Sequence, residues 1–198
     1  MTGLPHAVAF QGDTCIASGE LSSVALAVKK AAARPGHDAI LVFSATTSEL
    51  IDLDLRGSRE DVLRRLPVPA SAPALAEAPR GPGRPKLGVV AREVTLLPRH
   101  WDWLSSQPGG ASVALRKLVE HASRASVGKD RMRAAQNAAY RFMSAMAGDR
   151  PGFEDAARAL FAGDGDTFGK LVAAWPVDIR HHITSLAADA LQTKETAS

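Results

Sequence analysis

The side chains best suited to do chemistry in this sequence are basic, and they cluster in the middle of the chain. Residues 80–141 hold 12 Lys and Arg residues against 4 Asp and Glu residues, whereas the whole chain has a formal net charge of only +3. Clustered positive side chains attract polyanions such as nucleic acids. The charge distribution therefore predicts a nucleic-acid contact in the central segment.

The first basic group is an arm with the sequence RGPGRPK over residues 80–86. Its Gly83-Arg84-Pro85 step is similar to the core of an AT-hook, although Pro82 stands where a full AT-hook has a second arginine. Proline keeps such an arm extended, and arginine is drawn into the narrow minor groove of A·T-rich DNA. The arm therefore predicts contacts to duplex DNA by Arg80, Arg84, Pro85 and Lys86.

The second basic group follows a strand-like run over residues 89–97. Pro98 is predicted to open a short helix, Pro108-Gly109-Gly110 ends it, and a second helix is predicted from about Ala111 to Ser123. This order resembles the ribbon-helix-helix family of DNA-binding proteins, in which strands from two chains pair and enter the major groove. The resemblance implies two partners, duplex DNA and a second copy of the chain bound through residues 89–122.

In this interpretation the strand and the second helix both contact DNA. The residues expected to do so are Arg92, Thr95, Ser112, Arg116, Lys117 and Arg124. The second helix is expected to bury an apolar stripe: Leu115, Leu118, Val119 and Ala122. Two chains are expected to share a small core: Trp101, Leu104, Leu115 and Leu118. A helix-turn-helix, with Ala111–Ser123 as its recognition helix, fits the two helices nearly as well.

Residue types used in catalysis or metal binding are present but scattered. Asp52 and Asp54 are interpreted as the solvated face of a strand, and Cys15 as a structural thiol without a basic neighbour to activate it. His181 and His182 are adjacent, so on a helix they point in different directions rather than toward one metal ion. With no phosphate loop, nucleophile elbow or zinc motif, the sequence predicts a protein that is not an enzyme and has no cofactor or metal.

The rest of the chain predicts an α+β fold in four parts. Residues 1–66 read as a small ββαββα module, in which Leu50–Leu55 alternates between apolar and polar residues as a fourth strand does. Residues 67–88 form a Pro/Ala-rich linker that includes the basic arm. The ribbon-helix-helix-like segment covers 89–128, and 129–198 reads as a helical bundle with apolar residues at helical spacing. Ser58 to Asp61 resembles a capping box before a helix, and Gly163 and Asp164 are predicted to end one helix of the bundle and begin the next.

The phrase GRPKLGVVAREVTLLPRHWDWL, residues 83–104, resembles a bacterial family of unknown function, the domain of unknown function 2239 family, and the similarity extends over most of the chain. The resemblance implies a bacterial source and a shared three-part layout, but it implies no activity and no site residues.

The expected function is therefore DNA binding by a homodimer, as a transcriptional regulator or a nucleoid-associated protein. The alternative is a protein-interaction adaptor with no direct nucleic-acid binding. No apolar run approaches the roughly 20 residues that a membrane span needs, and no export signal is recognised. The chain is therefore expected in the cytoplasm, at the nucleoid.

Overall fold

The computed structural model describes residues 5–34, 38–67, 90 and 92–191, and these form three strands and seven helices. The elements are β1 (His6–Gln11), β2 (Thr14–Glu20), α1 (Leu21–Ala32), β3 (Ile40–Ser44), α2 (Arg59–Arg65), α3 (Pro98–Ser105), α4 (Gly110–Ala147), α5 (Phe153–Ala162), α6 (Gly165–Val172) and α7 (Val177–Leu191). The α+β class is confirmed. No helix in the described ranges is long and apolar enough to cross a membrane.

The three strands form one antiparallel sheet with β1 in the centre, in the order β2-β1-β3. Successive side chains of a strand point to opposite faces of a sheet. Ala7 and Ala9 of β1 therefore face one layer of the core, and Val8 and Phe10 face the other. Because all four side chains are buried, the sheet is covered on both faces.

Helices α1 and α2 cover the face that carries Ala7 and Ala9, mainly through the buried side chains of Leu21, Val24 and Val62. The start of α2 is the capping box that the sequence predicts. The backbone N–H of Asp61 donates to the Ser58 hydroxyl at 3.1 Å, and the Ser58 N–H donates to the Asp61 carboxylate at 3.0 Å. These bonds satisfy backbone donors that have no partner inside the helix.

The predicted fourth strand at residues 50–55 is wrong. Leu50 makes an isolated bridge to Phe43, but no residue from Ile51 to Leu55 lies in a strand. The alternation still predicts which side chains are partly buried, because every second one packs against the core on the α1 side: Ile51, Leu53 and Leu55. An alternating pattern reports which side chains face the core, whereas a strand also needs a continuous backbone partner.

The other face of the sheet packs against the C-terminal half of α4 and against α5, α6 and α7. Phe10 and Phe43 of the sheet each place their ring centroids 5.2 Å from that of Phe142 in α4. The described residues up to 67 and those from Lys129 onward consequently form one compact unit.

Helix α4 has 38 residues, so the predicted second helix does not end at Ser123. It continues without a break into the first helix of the predicted bundle. Gly128 lies inside it and is only about 1 kcal/mol less favourable than alanine at such a position, which is too little to end a helix. The boundary between the two compact units falls within α4, after Gly128.

The described residues before that boundary, 90 and 92–128, belong to the second compact unit. Residues 68–88, which hold almost all of the predicted linker and the basic arm, lie outside the described residues.

The junction between α5 and α6 lies where the sequence predicts, whereas α5 begins at Phe153 and not at the predicted Asp149 cap. Gly163 caps the end of α5 in the left-handed conformation, with φ of 69°, which glycine adopts without steric cost. Asp164 caps the start of α6, and its carboxylate accepts the backbone N–H of Thr167 at 3.1 Å. These two residues thereby separate α5 from α6 within the bundle.

Candidate nucleic-acid interface

Helices α3 and α4 are joined by a tight turn that depends on glycine. Pro98 occupies the first turn of α3, and the turn into α4 contains Gly109 and Gly110 with φ of 88° and 72°. Other residues rarely adopt these angles, so the predicted role of the glycine pair agrees with the geometry. Leu104 of α3 and Ala114 of α4 are the buried apolar side chains that the second unit contributes among its described residues.

Four basic residues lie on one exposed side of α4, and we call them the basic face: Arg116, Lys117, Arg124 and Arg131. Lys117, Arg124 and Arg131 are spaced by seven residues, and a helix drifts by only about 20° over that interval. They form a row about 21 Å long, which is the length of about six base-pair steps along one DNA strand. The sequence predicts the first three residues of the face, and the structure adds Arg131.

The basic face is open to solvent and only partly neutralised. Arg124 pairs with Glu120 one turn earlier, with side-chain exposures of 78% and 62%. Such exposed ion pairs contribute little stability, so a phosphate can replace the glutamate. Within the described residues, the side chains of Lys117 and Arg131 have no ion-pair partner.

The other residues predicted to contact DNA do not lie together on the basic face. Ser112 is exposed in the first turn of α4, and its backbone carbonyl accepts the Arg116 Nε–H at 3.2 Å. Arg92 and Thr95 are exposed in an irregular segment, because residues 90 and 92–97 form no strand. Four others lie outside the described residues: Arg80, Arg84, Pro85 and Lys86.

The missing strand bears directly on the ribbon-helix-helix resemblance, which the structure does not confirm. A lone strand leaves its backbone donors and acceptors unpaired, and no strand formed by the described residues pairs with this segment. The short helix α3 and the glycine turn are present and lead into the long helix α4, but the strand that would read the major groove is not formed by the described residues.

The apolar stripe predicted to be buried on the second helix is largely exposed in the single chain. Leu118 and Val119 are 48% and 65% exposed, and on α3 Trp101 is 38% and Trp103 is 52% exposed. Of the apolar residues expected in this small core, Leu104 alone is fully buried at 3% exposure. Because the prediction shares this core between two chains, burial of the stripe by a second copy stays a prediction.

A second cluster of reactive side chains lies outside the predicted interface, between β2 and α7. Phe10 pairs with Cys15 and Ala9 pairs with Ala17, so Ile16 is the extra residue of a β-bulge. The bulge turns the Cys15 side chain toward the core layer that α4, α5, α6 and α7 form with the sheet. There it borders a groove of about 320 Å³, whose polar lining includes Asp178, His181, His182 and Ser185.

The environment of Cys15 in this groove determines the state of its thiol. The backbone N–H of Cys15 donates to the Asp178 carboxylate at 2.9 Å, which joins the edge strand to α7. Burial raises the pKa of the Cys15 thiol, and the Asp178 charge adds to that effect, so the unreactive protonated form is favoured. Among the described residues, no group of three or more His, Cys, Asp and Glu side chains is placed to hold a metal ion.

His182 is the one histidine with an unusual environment in this groove. Burial lowers its pKa, and its ring centroid lies 4.5 Å from that of Phe142 and 5.7 Å from that of Phe10. Within the described residues, its buried Nε2 atom has no hydrogen-bond partner. The neutral ring therefore acts as part of the core rather than as a surface histidine.

Comparison with known proteins gives one match. The model of a family described as an uncharacterized protein conserved in bacteria (DUF2239) matches residues 6–187. No curated protein and no solved structure shows significant similarity to the chain. The matched span covers the three strands, helices α1 to α6 and most of α7.

Proposed function

The chain belongs to the DUF2239 family of uncharacterized bacterial proteins, and we propose that it binds double-stranded DNA through the basic face of α4. The observation that carries this proposal is the row of Lys117, Arg124 and Arg131, exposed along about four turns of one helix. A row of cations on a rigid helix holds its charges in a fixed register, as phosphate contacts along a duplex require.

The composition of α4 favours phosphate contacts over base reading. The helix is about 10–12 Å wide with its side chains, close to the width of a major groove of about 12 Å. Asn and Gln, which read adenine, are absent between Gly110 and Arg131. We therefore propose binding with little dependence on sequence, which fits a nucleoid-associated protein better than a regulator of one operator.

A pair of matched double variants tests this proposal. Lys117→Ala with Arg131→Ala removes two charges from the basic face. Arg64→Ala with Arg158→Ala removes two exposed charges from α2 and α5. If each basic-face residue contacts one phosphate, the first variant should make the negative slope of log affinity against log salt shallower by about 1.8, since each contact contributes about 0.9. The control should leave the slope unchanged, and equal losses in both variants would reject the basic face as the binding site.

A protein-interaction adaptor is the second candidate function. It is supported by the exposed apolar side chains of the second unit, above all Trp103 and Val119, because tryptophan in particular is enriched where proteins bind one another. The two proposals separate at low salt. An intact chain that binds no duplex there would leave the adaptor as the better proposal.

A further inference from the structure

Along one side of α4, residues recur at alternating spacings of four and three positions, and all but Lys129 and Gln136 are apolar. We call this row the α4 seam. Its residues are Ala111, Leu115, Leu118, Ala122, Ala125, Lys129, Met132, Gln136, Ala139, Met143 and Met146. An average spacing of 3.5 residues keeps a row on one side of a helix, and such a row is the contact surface of paired helices.

The C-terminal half of the seam is already covered by the chain's own core. Ala139 and Met143 are fully buried. The one polar seam residue in this half, Gln136, is also buried, and its side-chain amide donates to the backbone carbonyls of Leu160 and Phe161 at 3.1 and 3.3 Å. This half shows that the seam is a surface made for packing.

The N-terminal half of the same seam is uncovered from Leu118 onward. Four consecutive seam residues are exposed, and we call them the open seam: Leu118, Ala122, Ala125 and Lys129. Between Arg116 and Arg131 every side chain is exposed except that of Ser126, which is half-buried. Helices in proteins gain most of their stability from packing one face, so a stretch of this length that is exposed among the described residues points to a partner that covers it.

We propose that a second copy of the chain covers the open seam, with the two α4 helices packed side by side in opposite directions. Ala122 and Ala125 are small, so two backbones can approach closely along this row. The residues that flank the open seam carry no formal charge, with histidine neutral at pH 7: Val119, His121, Ser126 and Gly128. Because the basic face lies on the far side of the helix, two copies pair without opposing their arginines.

The charge of Lys129 sets the direction of the pair. In a parallel pair each Lys129 faces the Lys129 of the other copy, and opposed like charges destabilise. In an antiparallel pair Ala122 lies opposite Ala125 of the other copy. Lys129 then lies opposite Leu118, where its aliphatic stem covers the leucine and its ammonium group reaches solvent.

The antiparallel direction also aligns the charged rows. On α4 the Lys117–Arg124–Arg131 row lies beside the flank that carries His121 and Gly128. In an antiparallel pair this flank of one copy meets the same flank of the other, whereas in a parallel pair it meets the opposite flank. Antiparallel pairing therefore places the basic rows of both copies on one side of the pair. That this side binds DNA rests on the proposed function.

Engineered cysteines test the pairing without reference to DNA. Cys15 is the only cysteine, so Cys15→Ser gives an intact chain without thiols. In that background Leu118→Cys and Lys129→Cys should form disulfide-linked dimers when mixed, but not separately, because each residue lies about 16 Å from its own copy in the antiparallel pair. Lys117→Cys, on the basic face, is the control and should form no disulfide-linked dimer in a mixture with either variant. Cross-linking of each variant with itself, or no cross-linking at all, would overturn the proposal.

Sedimentation equilibrium gives an independent readout. Ala122→Glu buries a charge in the pair and should weaken self-association at least about tenfold, whereas Ser123→Glu, outside the seam, should leave it near the parent value. An equal effect of the two substitutions, or a monomeric parent chain, would count against the pair. A dimer that binds no duplex would instead retain this inference and reject the proposed function.

Discussion

The ring of Phe10 in β1 lies 5.2 Å from the ring of Phe142 in α4, measured between centroids, and both side chains are completely buried. Their contact joins two residues that lie far apart in the sequence, and both belong to one core. It explains why the N-terminal sheet and the C-terminal helices form a single unit. The sheet is only three strands wide and needs helices on both faces to bury its apolar side chains.

Loss of this aromatic contact should destabilise the whole unit. Phe142→Ala should lower the free energy of unfolding by about 3–5 kcal/mol, because the ring leaves a cavity in the core. Urea unfolding followed by circular dichroism measures this change. Tyr140→Ala, which removes a ring that is 40% exposed on the same helix, should cost clearly less. Equal losses would show that Phe142 does not hold the two halves together.

The start of α2 gives a smaller and more local prediction. Ser58→Ala removes the hydroxyl that accepts the Asp61 N–H and should lower the free energy of unfolding by about 0.5–2 kcal/mol. Ser58→Thr keeps a hydroxyl at the same place and should retain most of the stability. If urea unfolding gives the same loss for both variants, the cap is not the source of the effect.

Acidification should weaken the fold through His182. Burial lowers the pKa of His182 below 6.5, so at mildly acidic pH the unfolded chain binds a proton there that the folded chain does not. The contribution is absent above about pH 6.5, and stability falls as the pH drops from that value toward the lowered pKa.

His182→Gln removes this titration and should flatten the fall in unfolding free energy between about pH 7.5 and 5.5. His181→Gln, on the exposed neighbour, serves as the control and should retain the fall of the parent protein. A variant at His182 with the same pH dependence as the parent would assign the effect to another group.

Local sequence signals predicted local structure well in this chain. Gly163 and Asp164 separate α5 from α6 because a left-handed glycine and a capping carboxylate act within a few residues. The segment at residues 50–55 failed as a strand, since alternation reports burial and not backbone pairing. Contacts such as that between Phe10 and Phe142 could not be predicted, because no local pattern specifies which apolar faces meet.

The candidate interface was predictable in composition but not in extent. The sequence identified Arg116, Lys117 and Arg124 as basic residues of one helix. It missed Arg131 because the second helix was predicted to end near Ser123, whereas α4 continues beyond that residue. The seven-residue spacing of the basic row becomes a single surface only on an unbroken helix.

The salt dependence of duplex binding by the intact chain tests the central claim most directly. Affinity for a random-sequence duplex should fall steeply with salt, because cations on the protein displace counterions from phosphates. Four contacts from one basic face predict a slope of log affinity against log salt of about −3.6, and a second copy makes it steeper. No binding at low salt, or an affinity that does not change with salt, would contradict DNA binding through the basic face of α4.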